Sequence, residues 1–205
     1  MRHLTLIAAA SLASAVCACD EKPQGEAPSR FAGVTKPAAG ASATAFCEKT
    51  WDEGKGPRVA LPALRQLETE KQSPAERSWR WVNVWATWCA PCVEEMGLLG
   101  KWREALAREG LPVAFELLSI DEPDAELALR ALLKKKLPGP VKWVRATDDV
   151  APWFEAIGVS RDAAIPIHAL FSPDGRLRCV RVGALHAQDY GAVRALIRST
   201  AGAAR

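Results

Sequence analysis

One stretch constrains this chain more than any other: Trp79 to Gly97, reading Trp-Arg-Trp-Val-Asn-Val-Trp-Ala-Thr-Trp-Cys-Ala-Pro-Cys-Val-Glu-Glu-Met-Gly. Its aromatic and β-branched first half predicts a strand, and the residues after Cys92 carry helical spacing. Cys89 and Cys92 therefore sit where a strand hands over to a helix. A thiol at a helix start faces unpaired backbone N–H groups and the positive end of the dipole, both of which favour thiolate over thiol. Cys89 is the candidate nucleophile. Cys92 lies one turn deeper, near enough to close a disulfide and less open to solvent, as suits a resolving thiol. Pro91 fits the first helical turn, where no N–H is needed.

Three plainer readings compete with a redox pair. A zinc site needs a second ligand pair, yet Cys47 and Cys179 are isolated and no His stands at finger spacing. A purely structural disulfide is the second, disfavoured by the helix-start position beside Trp88. The third is copper: Cys-x-x-Cys with His168 or His186 can hold Cu(I), although a lone His on a strand is more often packed or exposed. No metal is assigned.

Val82 to Met96, Val-Asn-Val-Trp-Ala-Thr-Trp-Cys-Ala-Pro-Cys-Val-Glu-Glu-Met, resembles the thioredoxin-like proteins of the TlpA/ResA type. Those are membrane-attached thiol-disulfide oxidoreductases facing the periplasm or the cell exterior. The likeness extends more weakly over Val59 to Ala201, through Ile165-Pro166 and Ser172-Pro173-Asp174-Gly175-Arg176. It implies an α/β, thioredoxin-like fold: a mixed central sheet with helices on both faces, a βα-type insertion over Pro123 to Arg145, and an N-terminal extension.

The 205 residues allow one domain plus extras, and a composition 49% hydrophobic and 25% charged is that of a globular protein. A net charge of +3 with acids and bases interspersed argues against a nucleic-acid partner. Residues 1–18 read as a secretion signal: Arg2, then an apolar run from Leu4 to Val16 that is too short to span a bilayer. Its end, Val16-Cys17-Ala18-Cys19, looks like a bacterial lipobox, making Cys19 the lipidated first residue of a mature chain. Residues 19–45, rich in Ala, Pro, Gly, Ser and Thr, read as a flexible tether. Residues 46–205 form the domain. Export places the chain where disulfides persist. Beyond Cys89 and Cys92, Cys47 and Cys179 are then the only unassigned thiols, and a structural disulfide between them is expected.

Within the domain, Phe46 to Leu67 reads as short extended segments on an edge, and Glu68 to Ser78 as a polar loop. Strands are predicted over Arg80 to Ala86, Val113 to Ile120 and Val141 to Arg145. A hairpin is predicted from Ile165 to Phe171 and Leu177 to Val182 across Pro173-Asp174-Gly175. Helices are predicted over Pro91 to Arg108, from Pro123 to the lysines 134–136, Asp149 to Ile157, and Asp189 to Ser199. Met96, Leu99, Trp102 and Leu106 give the first its core face. Gly97, where the family often has a kinking Pro, and Gly100 weaken it by about 1 kcal/mol each. Asp121 is placed as cap of the second helix.

The resemblance also implies roles. Ile165-Pro166 matches the cis-proline position that faces the Cys-x-x-Cys and offers backbone hydrogen bonds to an extended substrate. Trp88, Ala90, Pro91, Ile165 and Pro166 form the expected substrate surface, with Trp85 in the core beneath. Where thioredoxins carry a buried Asp, this chain has Asn83, which cannot accept a proton. Glu95, three residues past Cys92 and on the same helix side, matches the family's acidic residue and is the expected proton shuttle; a surface first-turn carboxylate is the alternative. No cofactor is expected beyond the redox-active disulfide. Expected partners are a protein disulfide, from apocytochrome c, a copper-site protein or another envelope protein, and an upstream membrane thiol reductant. A tethered binding module or copper carrier on the same fold is the rival function.

Overall fold

The computed structural model describes residues 46–67 and 78–201. The signal segment 1–18, the tether 19–45 with Cys19, and residues 68–77 of the polar loop lie outside the described residues.

A seven-stranded sheet is built around β3 (Trp79–Trp85), whose neighbours are all longer-range partners. Two-residue periodicity sends Trp79, Trp81, Asn83 and Trp85 to one face and Val82 and Val84 to the other; all six are buried, so both faces must be covered. With β1 (Lys49–Thr50), β2 (Leu64–Arg65), β4 (Val113–Ser119), β5 (Val141–Val144), β6 (Ile167–Phe171) and β7 (Leu177–Val182), the order is β1-β7-β6-β3-β4-β5-β2. The β3–β4 and β4–β5 pairs are parallel and the other four antiparallel, which gives the expected mixed sheet. Parallel neighbours need helical crossovers. These are α1 (Ala90–Arg108) between β3 and β4, and α2 (Glu126–Leu133) between β4 and β5.

On one face, Leu99, Trp102 and Leu106 of α1 and Val193 and Ile197 of α4 (Tyr190–Ala201) pack on Trp81 and its neighbours. On the other, Trp153 and Phe154 of α3 (Val150–Ala156) cover Val82 and Val84. A third cluster, including Trp85, Met96, Leu129 and Trp143, surrounds the two cysteines at the start of α1. At the far end of α1, Glu109 accepts hydrogen bonds from Arg194, Tyr190 and Arg198 of α4. The Arg194 bond first, and then the Tyr190 bond and the two guanidinium charges, hold this exposed carboxyl below its ordinary range against the opposing pull of desolvation. Its small contribution is present above that range and lost as pH falls through the lowered value.

The segment before the central strand forms both edges. β1 pairs with β7 at one side and β2 with β5 at the other, and the chain between them packs Trp51, Val59 and Leu61 on the α3 face. It passes so close to β7 that a Cβ on Gly56 would stand 1.8 Å from the Leu177 carbonyl oxygen. Only glycine fits there.

Most element ends fall within two residues of expectation, and α1 runs unbroken through Gly97 and Gly100. The second helix departs further. Pro123–Ala125 forms a separate turn, α2 begins at Glu126, and it stops at Leu133 before the lysines. Asp121 does not cap it, because its carboxylate is engaged on the other side, as described below. The hairpin turns at Gly175, with φ +79°, and closes through Ser172 N–H donating to the Arg176 carbonyl (2.9 Å). No helix among the described residues is long and apolar enough to cross a membrane.

Candidate active site

The chain leaves β3 at Trp85 and turns through Ala86, Thr87 and Trp88 before α1 begins. Cys89 is the capping residue, its N–H donating to the Ala86 carbonyl and its own carbonyl accepting from Val93 N–H, both at 3.1 Å. Among the described residues no side chain caps the helix and its first turn holds no acidic residue, so none of them competes with a sulfur for the free N–H groups. Cys89 and Cys92 are joined as a disulfide, Cα to Cα 5.3 Å. Cys92 is fully buried, and Cys89 is only 5% exposed, less open than the sequence suggested, in one packed cluster with Ala86 and with Ile165 against it. Trp88, at 67% exposure, stands beside it with Ala90 and Pro91 also exposed.

The turn is pinned from β4. Both oxygens of the buried Asp121 carboxylate accept the Thr87 N–H (2.9 and 3.1 Å), Oδ1 accepts the Thr87 hydroxyl (2.7 Å), and Oδ2 accepts the Ser119 hydroxyl (2.8 Å). Asp121→Ala strands the half-buried Thr87 donors and the buried Ser119 hydroxyl, at up to about 1–3 kcal/mol per group left unsatisfied. The expected outcome is a loss of about 3 kcal/mol in denaturant unfolding, with Asp121→Asn milder; an unchanged midpoint for the alanine variant would show that the turn holds itself.

Across the mouth, Ile165-Pro166 is a cis peptide bond. The Ile165 carbonyl oxygen lies 3.9 Å from Cys89 Sγ, while the Pro166 carbonyl is occupied by Gly183 N–H (2.8 Å). Trp88, Ala90, Pro91 and Ile165 thus rim the cysteine pair, and the buried Pro166 fixes the strand end behind it.

Below the pair lies a polar group that an apolar core would not tolerate unpaired. Glu95 is 4% exposed, whereas Glu94 faces solvent, so the surface-carboxylate alternative fails. Asn83 Nδ2 donates to Glu95 Oε1 (2.9 Å) and Leu185 N–H donates to Oε2 (3.0 Å). His168 Nε2 lies 3.4 Å from Oε1, and Trp81 Nε1 donates to His168 Nδ1 (3.3 Å).

Sequence reasoning named Cys89, Cys92, Glu95 and the Ile165-Pro166 position, and noted Asn83 only for what it cannot do. It gave Asp121 a different task, and missed Leu185 and the His168–Glu95 contact. Asn83 inside an apolar strand was the available signal, since a buried amide must find partners. His168 and His186 do not share an environment: the first is buried under α1, the second exposed on the turn that opens α4. Among the described residues no group of three His, Cys, Asp or Glu side chains is placed to hold a metal. Cys47 and Cys179 are joined, Cα to Cα 5.5 Å, in the α1–α4 core.

The solution structure of an uncharacterized thioredoxin-like protein from Porphyromonas gingivalis is 19% identical and covers 73% of this chain and 93% of its own, with a TM-score of 0.51. The fold is thioredoxin-like. A thioredoxin-related protein from Neisseria meningitidis serogroup B (22% identity, 65% of this chain, 93% of that one, TM-score 0.49) and StoA from Bacillus subtilis (17%, 67%, 98%, 0.46) are also similar. No family model matches the chain, and no curated protein does. On this thioredoxin-like fold, β3, α1 and the strand after the cis proline converge on the cysteine pair, while β5, reached through α2, and then β2 extend the sheet beyond β4.

Proposed function

We propose that the protein is a thiol-disulfide oxidoreductase that reduces partner disulfides through the Cys89–Cys92 couple. One observation carries the reading: a disulfide at an uncapped helix start, rimmed by exposed Trp88 and facing the cis Ile165-Pro166 bond. In the reduced form, Cys89 thiolate attacks one sulfur of a substrate disulfide; a mixed disulfide forms and the other substrate sulfur leaves as a thiolate. Cys92 then gives its proton to Glu95 and attacks Cys89 Sγ. The bond from Cys89 to the substrate breaks, the second substrate thiolate leaves, and the Cys89–Cys92 disulfide forms. Two electrons have passed to the substrate.

The finer reading is a TlpA/ResA-type reductant exported to the bacterial envelope and lipid-anchored at Cys19. Its support is the Val82 to Met96 likeness, the basic-then-apolar start with its lipobox, and a second buried disulfide of the kind that persists outside the cytoplasm. Apocytochrome c, a copper-site protein or another envelope disulfide is then the substrate, and a membrane thiol reductant restores the pair.

Redox titration tests the activity. The expected result is one reversible two-electron couple, mapped by alkylation and mass analysis to Cys89 and Cys92, with a potential nearer about −270 mV than about −120 mV. A pair that does not exchange with glutathione or thioredoxin-range buffers, or that copurifies with copper, would replace the enzyme with a binding module.

A further inference from the structure

Resting on the reading of Glu95 as proton acceptor, a second buried residue has a defined part in the same step. Asn83 and His168 face each other directly across the antiparallel β3–β6 ladder, on the sheet face beneath α1, and Glu95 descends between them from the helix. Trp81 Nε1 can only donate, and it points at His168 Nδ1; so does the Asn83 amide, also at 3.3 Å. Nδ1 is therefore an acceptor, and the ring hydrogen sits on Nε2. That N–H is buried and completes no hydrogen bond, and the polar atom it is set beside is Glu95 Oε1, 3.4 Å away. Oε1 thus accepts from Asn83 and has the His168 N–H beside it. Oε2 has one donor, Leu185 N–H, and keeps a lone pair.

We infer that His168 is a positioning residue for Glu95: held in its Nε2–H form by Trp81, it sets that N–H against Oε1 beside the Asn83 donor and so steadies the carboxylate that receives the Cys92 proton. The other charged or titratable groups set toward the pair are few. α1 brings Glu95 itself and, one turn back, the Cys89–Cys92 pair. β3 contributes the uncharged Trp81 and Asn83, and the loop after β7 a backbone N–H. Arg181, opposite His168 on β7, turns its guanidinium to the Phe46 carbonyl (3.2 Å) and ring. α4 brings Tyr190 against Trp102, which itself packs on Trp81.

Ellman's reagent resolves the two steps in protein reduced at Cys89–Cys92. The first thionitrobenzoate is released as Cys89 attacks, the second as Cys92 attacks the mixed disulfide. Removing a donor from a carboxylate disfavours its charged form. In His168→Leu the second phase should therefore need a higher pH, its midpoint moving up by about one unit, which is about tenfold in rate below the midpoint. The first phase should be unchanged, and His168→Gln, which restores an N–H, should recover most of the shift. Trp81→Phe, which frees the tautomer but keeps an aromatic ring, should move the same phase in the same direction and serves if His168→Leu fails to fold. A second phase in His168→Leu with the wild-type pH profile, or His168→Gln as displaced as His168→Leu, would overturn the inference while leaving Glu95 in place. A Glu95→Gln profile identical to wild type would remove the Glu95 reading and this inference together. Absence of a second phase in the wild-type protein would end the oxidoreductase reading itself.

Discussion

Cys92→Ala should convert the protein from a turnover catalyst into a trap. Cys89 still attacks, because the helix start and the Ile165-Pro166 wall that position it do not involve Cys92, but the mixed disulfide then has no internal thiol to release it. Steady-state reduction of a disulfide substrate should fall by at least about 10³-fold, as when one member of a catalytic unit is removed. The covalent complex should accumulate, run larger on a non-reducing gel and collapse with reductant. Cys92 is fully buried behind Cys89, so an external thiol must enter from the substrate side to replace it. Cys89→Ala should trap nothing. Isolating the complex from the source organism identifies the partner and so tests the candidate substrates proposed above. Equal capture by both variants, or by neither, would count against the assigned order of attack.

The largest stability effect should come from the other disulfide. Cys47 and Cys179 are 132 positions apart, and closing a loop of that length restricts the unfolded chain by about 5 kcal/mol in the entropy model. Both residues are buried in the α1–α4 core, so no solvent exposure offsets their loss. Cys47→Ala/Cys179→Ala should lower the thermal midpoint by roughly 10–20 °C for a domain of this size. The Cys89–Cys92 potential should be unmoved, since the two disulfides belong to different packed clusters. A loss below about 1 kcal/mol in denaturant unfolding would mean that the unfolded chain is already held together in that region.

Apart from the Cys47–Cys179 pairing and the cis proline, what was legible in the sequence was local. The alternation Trp79, Trp81, Asn83, Trp85 fixes a strand with two buried faces, and Cys89-Ala90-Pro91-Cys92 fixes where its helix begins; both need only neighbours in the chain. Glu95 was placed on the Cys92 side of α1 by helical spacing alone. The edges were harder: β1 and β2 are two residues each, too short to carry a period, and exist because β7 and β5 offer ladders to them. Asp121 shows the limit most clearly. Spacing makes it a helix cap, but a carboxylate serves whichever donors the fold brings, and the parallel β3–β4 pairing brings Thr87 from 34 positions away. His168 and Asn83 are 85 apart, and periodicity assigns each a face without naming the residue opposite.

The disulfide at Cys47 also sets how force enters the domain. Any tension on the chain before Phe46 meets a covalent bond to β7 one residue into the described domain, ahead of the two-residue ladder of β1. β7 in turn is laced to β6 along its length, and β6 to β3. A pull that would otherwise peel β1 away one hydrogen bond at a time is delivered to the interior of the sheet, where several ladder bonds must fail together. The cysteine pair at the head of α1 is thereby isolated from tugging on the leading segment, and reduction of Cys47–Cys179 would turn the same segment into a zipper that opens from its end.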